Sequence, residues 1–146
     1  MARVRDNDFP DHLLYDVENH IWYEPVGDGT VRAGFTIWAA SQMGELLAFT
    51  PKRIGRDVEK GRSFAVVEGG KWIGSARAAF DGVVIAHNEL LERKPGLLNQ
   101  DPYGQGWMVT VRPAGEDWQA GLVTGPAIEP AFEAWFASDA YKDHTQ

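Results

Sequence analysis

Short apolar runs separated by glycines, prolines and polar clusters recur along the chain. Segments 20–26 and 30–36 are two such runs, and Gly27-Asp28-Gly29 between them is typical of a hairpin turn. The spacing of these runs predicts a mainly β domain. Further strands are predicted at 45–49, 64–68, 72–78, 83–87 and 107–112.

Two short segments carry helix signals instead. Segment 38–43 follows Thr36, which can cap a helix, and precedes Gly44, which can end one. Asn88 is placed to cap a helix over 89–93, which the proline that follows prevents from continuing. Both helices are expected to be short.

The C-terminal part of the chain has a different pattern. Phe132, Trp135 and Phe136 lie on one face of a helix predicted to begin near Pro130. We expect this helix to pack on the edge of the sheet, and residues 142–146 to fray.

Length, charge and cysteine content limit the classes of function. The 146 residues suffice for one compact domain and are too few for two ordinary ones. A net charge of −7 argues against nucleic acid or an anionic membrane as partner, because both require clustered Lys and Arg. The absence of cysteine excludes disulfides and thiolate metal sites. With no secretory signal and no apolar run of membrane-spanning length, a cytoplasmic location is expected. The chain is also expected to be a monomer.

Segment 64–73 is the most informative stretch of the chain. An apolar run reaches Glu68, then Gly69-Gly70-Lys71, and a second run leads away from Trp72. This pattern predicts a hairpin whose turn holds the Lys71 amine in solvent. A lysine presented in this way suits covalent attachment of a prosthetic group that travels between partner proteins.

This hairpin and its surroundings resemble the H protein of the glycine cleavage system. His20-Ile-Trp-Tyr is similar to the family's His-Glu-Trp-Val, and Val67-Glu-Gly-Gly-Lys-Trp is similar to its lipoylation segment, Val-Glu-Ser-Val-Lys-Ala. Segment 34–44 is similar to the family's Gly-Ile-Thr-Asp-Tyr-Ala stretch. The later signature falls at family spacing in Asn88, Pro95, Leu97, Asn99, Pro102, Tyr103, Gly106 and Trp107.

The resemblance implies a flattened β-sandwich, the barrel-sandwich hybrid of lipoyl and biotinyl carriers, with short helices and a C-terminal helix. Its H-protein-like core would span about 15–113, and a helical extension about 116–142. It also implies lipoate in amide linkage to Lys71, with no catalytic residue and no metal. The implied partners include lipoylating enzymes, which Glu68 would help to recruit, and dihydrolipoamide dehydrogenase.

Three acidic positions of the family are neutral here. The acid after the family's His is Ile21, the acid four residues beyond the lipoyl-lysine is Ser75, and the Asp before the first helix is Ile37. A cationic aminomethyl cargo would lose hydration in a cleft without a carboxylate. The pattern is more similar to lipoate-binding proteins of bacterial sulfur oxidation, whose partner is a heterodisulfide-reductase-like complex and whose cargo is bound through sulfur.

Several alternatives stay open at this point. The chain is expected to serve sulfur oxidation, but it is also compatible with ordinary glycine cleavage or with an unmodified interaction module. Trp72 can stack on the lipoyl chain, dock a partner or pack across strands, and Gly69-Gly70 is interpreted as backbone freedom for the turn. Arg53, Arg56 and Lys60 are interpreted as a solvated face. The histidines, His12, His20, His87 and His144, lack metal-ligand spacing.

Overall fold

The structure is a computed structural model that describes residues 1–138. Within that range the strands are β1 (Ala2–Val4), β2 (Asn7–Phe9), β3 (Leu14–Asp16), β4 (Ile21–Gly27), β5 (Thr30–Phe35), β6 (Leu46–Pro51), β7 (Asp57–Val58), β8 (Ser63–Gly69), β9 (Ile73–Arg77), β10 (Gly82–His87) and β11 (Val109–Pro113). The helices are α1 (Ile37–Gln42), α2 (Glu89–Arg93), α3 (Leu97–Gln100) and α4 (Ile128–Phe136), and a 3-10 turn, Gly125–Ala127, leads into α4.

The strands pair in three antiparallel sheets. Six strands follow the order β3-β4-β5-β11-β10-β7, three follow the order β6-β8-β9, and β1 pairs with β2. Side chains from the two larger sheets meet in one hydrophobic core, where Trp22, Phe64, Val67 and Val84 are almost fully buried. This arrangement confirms the predicted mainly β sandwich with short helices and a C-terminal helix.

The predicted hairpin around Gly27-Asp28-Gly29 is formed by β4 and β5. All three turn residues have positive φ, at +101°, +55° and +72°. The Thr30 hydroxyl donates a 2.7 Å hydrogen bond to the Gly27 carbonyl and closes the turn. A left-handed backbone at successive positions is what favours glycine here.

Both predicted short helices are present with the expected caps. The Thr36 hydroxyl accepts a hydrogen bond from the Ala39 N–H at the start of α1, and Gly44 follows the helix with φ of +70°. The Asn88 side-chain Oδ1 accepts a hydrogen bond from the Leu91 N–H at the start of α2. These caps satisfy amides that the first turn of a helix leaves without a partner.

The C-terminal helix α4 packs through Phe132. This ring stacks on Phe9 of β2 at 4.0 Å and meets Tyr15 edge-on at 5.4 Å. Tyr15 belongs to β3, the edge strand of the six-stranded sheet, so the predicted packing on a sheet edge is confirmed. The predicted fraying of residues 142–146 lies outside the described residues.

Some elements were not predicted from the sequence. The hairpin β1–β2 has strands of only three residues, and its turn residues Arg5 and Asp6 have positive φ without being glycine. The helix α3 has only four residues. Strands and helices this short give almost no periodic signal.

Candidate functional site

Lys71 lies at the tip of the β8–β9 hairpin, as predicted. Glu68 pairs with Ile73 at the end of the ladder, and the Gly69 N–H donates a 2.8 Å hydrogen bond to the Trp72 carbonyl across the turn. The Lys71 side chain is exposed, and within residues 1–138 its Nζ makes no hydrogen bond or ion pair. The amine is therefore accessible to an enzyme that acylates it.

The backbone of this turn is anchored on the segment that follows α1. The Lys71 N–H donates to the Met43 carbonyl at 3.1 Å, and the Gly70 N–H donates to the Glu45 carbonyl at 2.9 Å. Gly44 lies between these acceptors, and an added Cβ there would approach Lys71 Cγ to 3.1 Å. The turn is thus fixed through its main chain while the lysine side chain stays free.

Gly69 is required by close packing rather than by backbone freedom. Neither Gly69 nor Gly70 has a positive φ, so the interpretation of this pair as a flexible turn element was wrong. A Cβ added at Gly69 would lie 2.1 Å from the Met43 carbonyl oxygen, which is far inside contact distance. A Cβ at Gly70 would meet nothing closer than 3.9 Å.

Asn99 holds the anchoring segment from the other side. Its Oδ1 accepts a 2.8 Å hydrogen bond from the Leu46 N–H, and its Nδ2 donates to the carbonyls of Ala40 and Gly44 at 3.2 and 2.7 Å. Asn99 was recognised in the sequence only as part of a signature, without a role. Its link to Lys71 runs through segment 43–45 and could not be read from local sequence.

A cleft of about 630 Å³ opens beside Lys71. One wall comes from α1 and the loop before β4, and the other comes from β9. Apolar and polar groups both contribute to it, as in small-molecule pockets. The lining residues are Glu18, Asn19, His20, Phe35, Trp38, Ala39, Gln42, Met43, Lys71, Trp72, Gly74, Ser75 and Arg77.

His20 is a buried residue that lines the cleft. It is 2% exposed, its Nδ1 lies 2.8 Å from the Thr36 hydroxyl, and its ring packs between Trp38 and Trp135. Its φ of +55° is unusual for a residue other than glycine. The surrounding rings and the Thr36 hydroxyl hold the histidine as a packed wall of the cleft.

Some of the positions where this chain has a neutral residue in place of a family acid lie at the cleft, and others do not. Ser75 lines it, but Ile21 is fully buried in β4 and does not line it. Glu18, which the sequence did not single out, is exposed at the cleft and faces a space that Arg77 also lines. The expectation of a cleft without a carboxylate was therefore wrong.

Tyr103 and Ile37 are joined by a structural hydrogen bond. The Tyr103 hydroxyl accepts from the Ile37 N–H at 3.1 Å and donates to the Asp8 carbonyl at 2.7 Å. Burial raises the pKa of Tyr103, and it raises the pKa of Tyr23, whose hydroxyl accepts from the Ala79 N–H. Both tyrosines tie segments together and lie outside the lining of the cleft.

The remaining ionisable candidates lie apart from the cleft. His12 pairs with Glu24 at 3.2 Å, and His87 pairs with Glu92 at 3.1 Å. His144 falls outside the described residues. In the described part of the chain no group of three His, Asp or Glu side chains is arranged to hold a metal ion. None of the described helices is long and apolar enough to cross a membrane.

Known proteins match both the sequence and this fold. Residues 13–134 match the family model described as "Glycine cleavage H-protein". Glycine cleavage system H protein 5 of Aquifex aeolicus is 42% identical over 118 residues, covering 78% of this chain and 79% of that protein. The glycine cleavage system H protein of Mycolicibacterium vanbaalenii is 41% identical over 118 residues, covering 81% and 89%. The crystal structure of the Mycobacterium marinum H protein is similar with a TM-score of 0.72 at 27% identity, covering 86% of this chain and 99% of that chain.

Proposed function

The chain belongs to the glycine cleavage H-protein family, and on this premise we propose that it is a non-catalytic carrier with a lipoyl group in amide linkage to Lys71 Nζ. The observation that carries the proposal is the position of this amine. It is exposed at a hairpin tip whose backbone is anchored by hydrogen bonds to Met43 and Glu45. A lipoylating enzyme can bind this turn without unfolding it, because the Lys71 side chain does not contribute to the hydrogen bonds that hold the turn.

The cleft beside Lys71 suits a lipoyl arm. Phe35, Trp38 and Met43 give it an apolar wall for an acyl chain, and its volume of about 630 Å³ lies within the ordinary range of small-molecule sites. Acylation removes the charge of Lys71, so an arm that folds into the cleft brings no cation towards Arg77. The lining residues present therefore fit the group.

The chemistry of transfer belongs to the lipoyl group, which supplies a disulfide that accepts a thiol or persulfide and a dithiol that a flavin enzyme can reoxidise. The protein places the arm, shields it in the cleft and raises its effective concentration at the partner. The expected partners are lipoylating enzymes and dihydrolipoamide dehydrogenase.

For the cargo, a sulfur-bound intermediate passed to a heterodisulfide-reductase-like complex is the first candidate. Ser75 lines the cleft where the family resemblance places an acid, and it offers a hydroxyl in place of a negative charge. A sulfur cargo needs no carboxylate partner, whereas an ammonium does. The buried Ile21 adds little to this case, because it lies away from the cleft.

Glycine cleavage is the second candidate, and Glu18 is the observation that favours it. Glu18 lines the same cleft, and its carboxylate can meet the cationic nitrogen of an aminomethyl group. The pairing would be partly exposed, so its contribution to binding would be modest. A role for Glu18 in cargo binding would thus distinguish an aminomethyl cargo from a sulfur-bound cargo.

The attachment is tested by intact mass spectrometry after co-expression with lipoylating enzymes. One lipoyl group is expected on the wild-type chain, none on Lys71→Arg and one on Lys60→Arg, which is the matched exposed lysine. If protein from the native host carries no modification but still binds its partner complex, the chain is an unmodified interaction module and the proposal is wrong.

The cargo is tested by reconstitution with each partner set. The lipoylated chain is expected to load sulfur with the heterodisulfide-reductase-like complex and to support little glycine turnover with the decarboxylase and aminomethyltransferase. Robust glycine turnover that falls in Glu18→Gln would refute the sulfur assignment and establish the second candidate.

A further inference from the structure

Trp72 differs from the other tryptophans of the chain in its contacts. Within residues 1–138 it makes no ring–ring or cation–ring contact, and it is 38% exposed. Its indole is therefore available for contact with a group attached to the neighbouring Lys71. The other five tryptophans, Trp22, Trp38, Trp107, Trp118 and Trp135, each meet another ring or an arginine.

Cross-strand packing does not account for Trp72. The residue opposite it in the turn is Gly69, which has no side chain to pack against. The indole instead lies over Gly74 of the following strand, β9, where an added Cβ would come within 2.1 Å of Cζ2 and 2.2 Å of Cη2. The indole ring thus packs directly on the main chain at Gly74.

Trp72 lines the cleft next to Lys71. Lys71, Trp72 and Gly74 are all lining residues, with Met43 also among them. An acyl chain that leaves Lys71 Nζ and bends into the cleft starts its path beside this indole. Methylene groups placed on an aromatic ring remove apolar surface of both from water, which is favourable in proportion to the area buried.

We propose that the indole of Trp72 is a docking surface for the methylene chain of the arm on Lys71 and holds that arm in the cleft. The inference rests on the proposed lipoylation of Lys71 and adds to it a residue that sets how much of the time the arm is shielded. Trp72 directly follows Lys71 in the sequence, so the indole is close to the point where the arm is attached. Trp72 acts as a positioning residue and takes no part in the transfer chemistry.

The first readout is the accessibility of the reduced arm to a bulky aromatic disulfide reagent. Trp72→Ala is expected to speed the reaction of the arm's thiols about fivefold, which corresponds to about 1 kcal/mol of lost docking. Gly74→Ala should give a similar increase, since its Cβ displaces the indole. Trp72→Phe should fall between wild type and Trp72→Ala, and Trp118→Phe, the matched half-buried tryptophan of another surface, should leave the rate unchanged.

The second readout is the indole N–H signal of Trp72 in a nitrogen–proton correlation spectrum, assigned by its loss in Trp72→Phe. It is expected to shift when the wild-type chain is lipoylated, whereas the Trp118 signal stays in place. An unshifted signal combined with unchanged thiol reactivity in Trp72→Ala would overturn the inference. Slower transfer to a partner without any change in the two readouts would also overturn it and would make Trp72 a protein-docking residue.

Mass spectrometry of each variant separates this inference from the proposed function. Chains that carry the lipoyl group but show no effect at Trp72 refute the docking surface and leave the carrier role intact. Chains that cannot be lipoylated at Lys71 refute the carrier role, and the docking surface with it.

Discussion

Two glycine-containing hairpin turns in this fold are held in different ways. At the β4–β5 turn, residues 27–29 all have positive φ, and a Cβ added at Gly27 would meet nothing within 4 Å. At the β8–β9 turn, Gly69 and Gly70 have no positive φ, and a Cβ added at Gly69 would clash with the Met43 carbonyl. The first turn depends on local backbone conformation, and the second depends on a segment distant in sequence.

The difference explains how the Lys71 turn can be both ordered and available. Its main chain is fixed by Met43 and Glu45, and these are fixed in turn by Asn99 and the end of α1. The side chain of Lys71 therefore has no structural task and can carry a prosthetic group. At the β4–β5 turn, by contrast, the Thr30 side chain closes the turn itself.

The largest effect is expected from Gly69→Ala. The added Cβ cannot be accommodated against the Met43 carbonyl unless the two segments separate, which should cost about 2–3 kcal/mol of unfolding free energy. Urea denaturation measures this loss, and lipoylation of Lys71 should slow in parallel. Gly70→Ala is the matched control and should change stability by less than about 0.5 kcal/mol. Equal stability of the two variants would show that the close approach does not constrain the turn.

Asn99→Ala is expected to cost about 2 kcal/mol. It leaves the Leu46 N–H and the carbonyls of Ala40 and Gly44 without their side-chain partner. Hydrogen exchange of the Lys71 and Gly70 amides should accelerate more than that of the Val111 amide in β11. Unchanged exchange at Lys71 would break the proposed link from Asn99 to the turn.

An intermediate effect is expected from alkaline pH. Burial raises the pKa of Tyr23 and Tyr103 in the folded state above the ordinary value of about 10. The unfolded chain ionises first, so stability is complete below pH 10 and falls above it by up to about 1.4 kcal/mol per pH unit for each tyrosine. The free energy of unfolding should be measured by denaturation at a series of pH values from about 8 to about 11, on both sides of the ordinary tyrosine pKa. It should decline less steeply with pH in Tyr103→Phe than in wild type. Identical slopes in the two proteins would show that the ionisation of Tyr103 does not contribute to the loss of stability at alkaline pH.

The smallest effect is expected from Gly27→Ala. A left-handed backbone is strained for alanine, but the Cβ meets no other group, so the cost should be about 1 kcal/mol. Lipoylation at the distant Lys71 should remain at the wild-type rate when measured by mass spectrometry. A slower rate would show that the two turns are coupled, against the comparison drawn from their contacts.

The sequence allowed prediction of features whose causes are local. The β4–β5 turn and the Thr36 and Asn88 caps follow from residues within a few positions of one another. The β8–β9 hairpin was predicted from its two apolar runs, although its turn is held by segment 43–45. The reason for Gly69, the role of Asn99 and the presence of Glu18 in the cleft depend on segments brought together by folding. No local pattern contains that information, so the acid at the cleft was missed.

The most direct measurement is site-resolved mass spectrometry of the protein purified from its native host. The account predicts a lipoyl group on Lys71 and on none of the other lysines. An unmodified Lys71, or a lipoyl group on a different lysine, would contradict it.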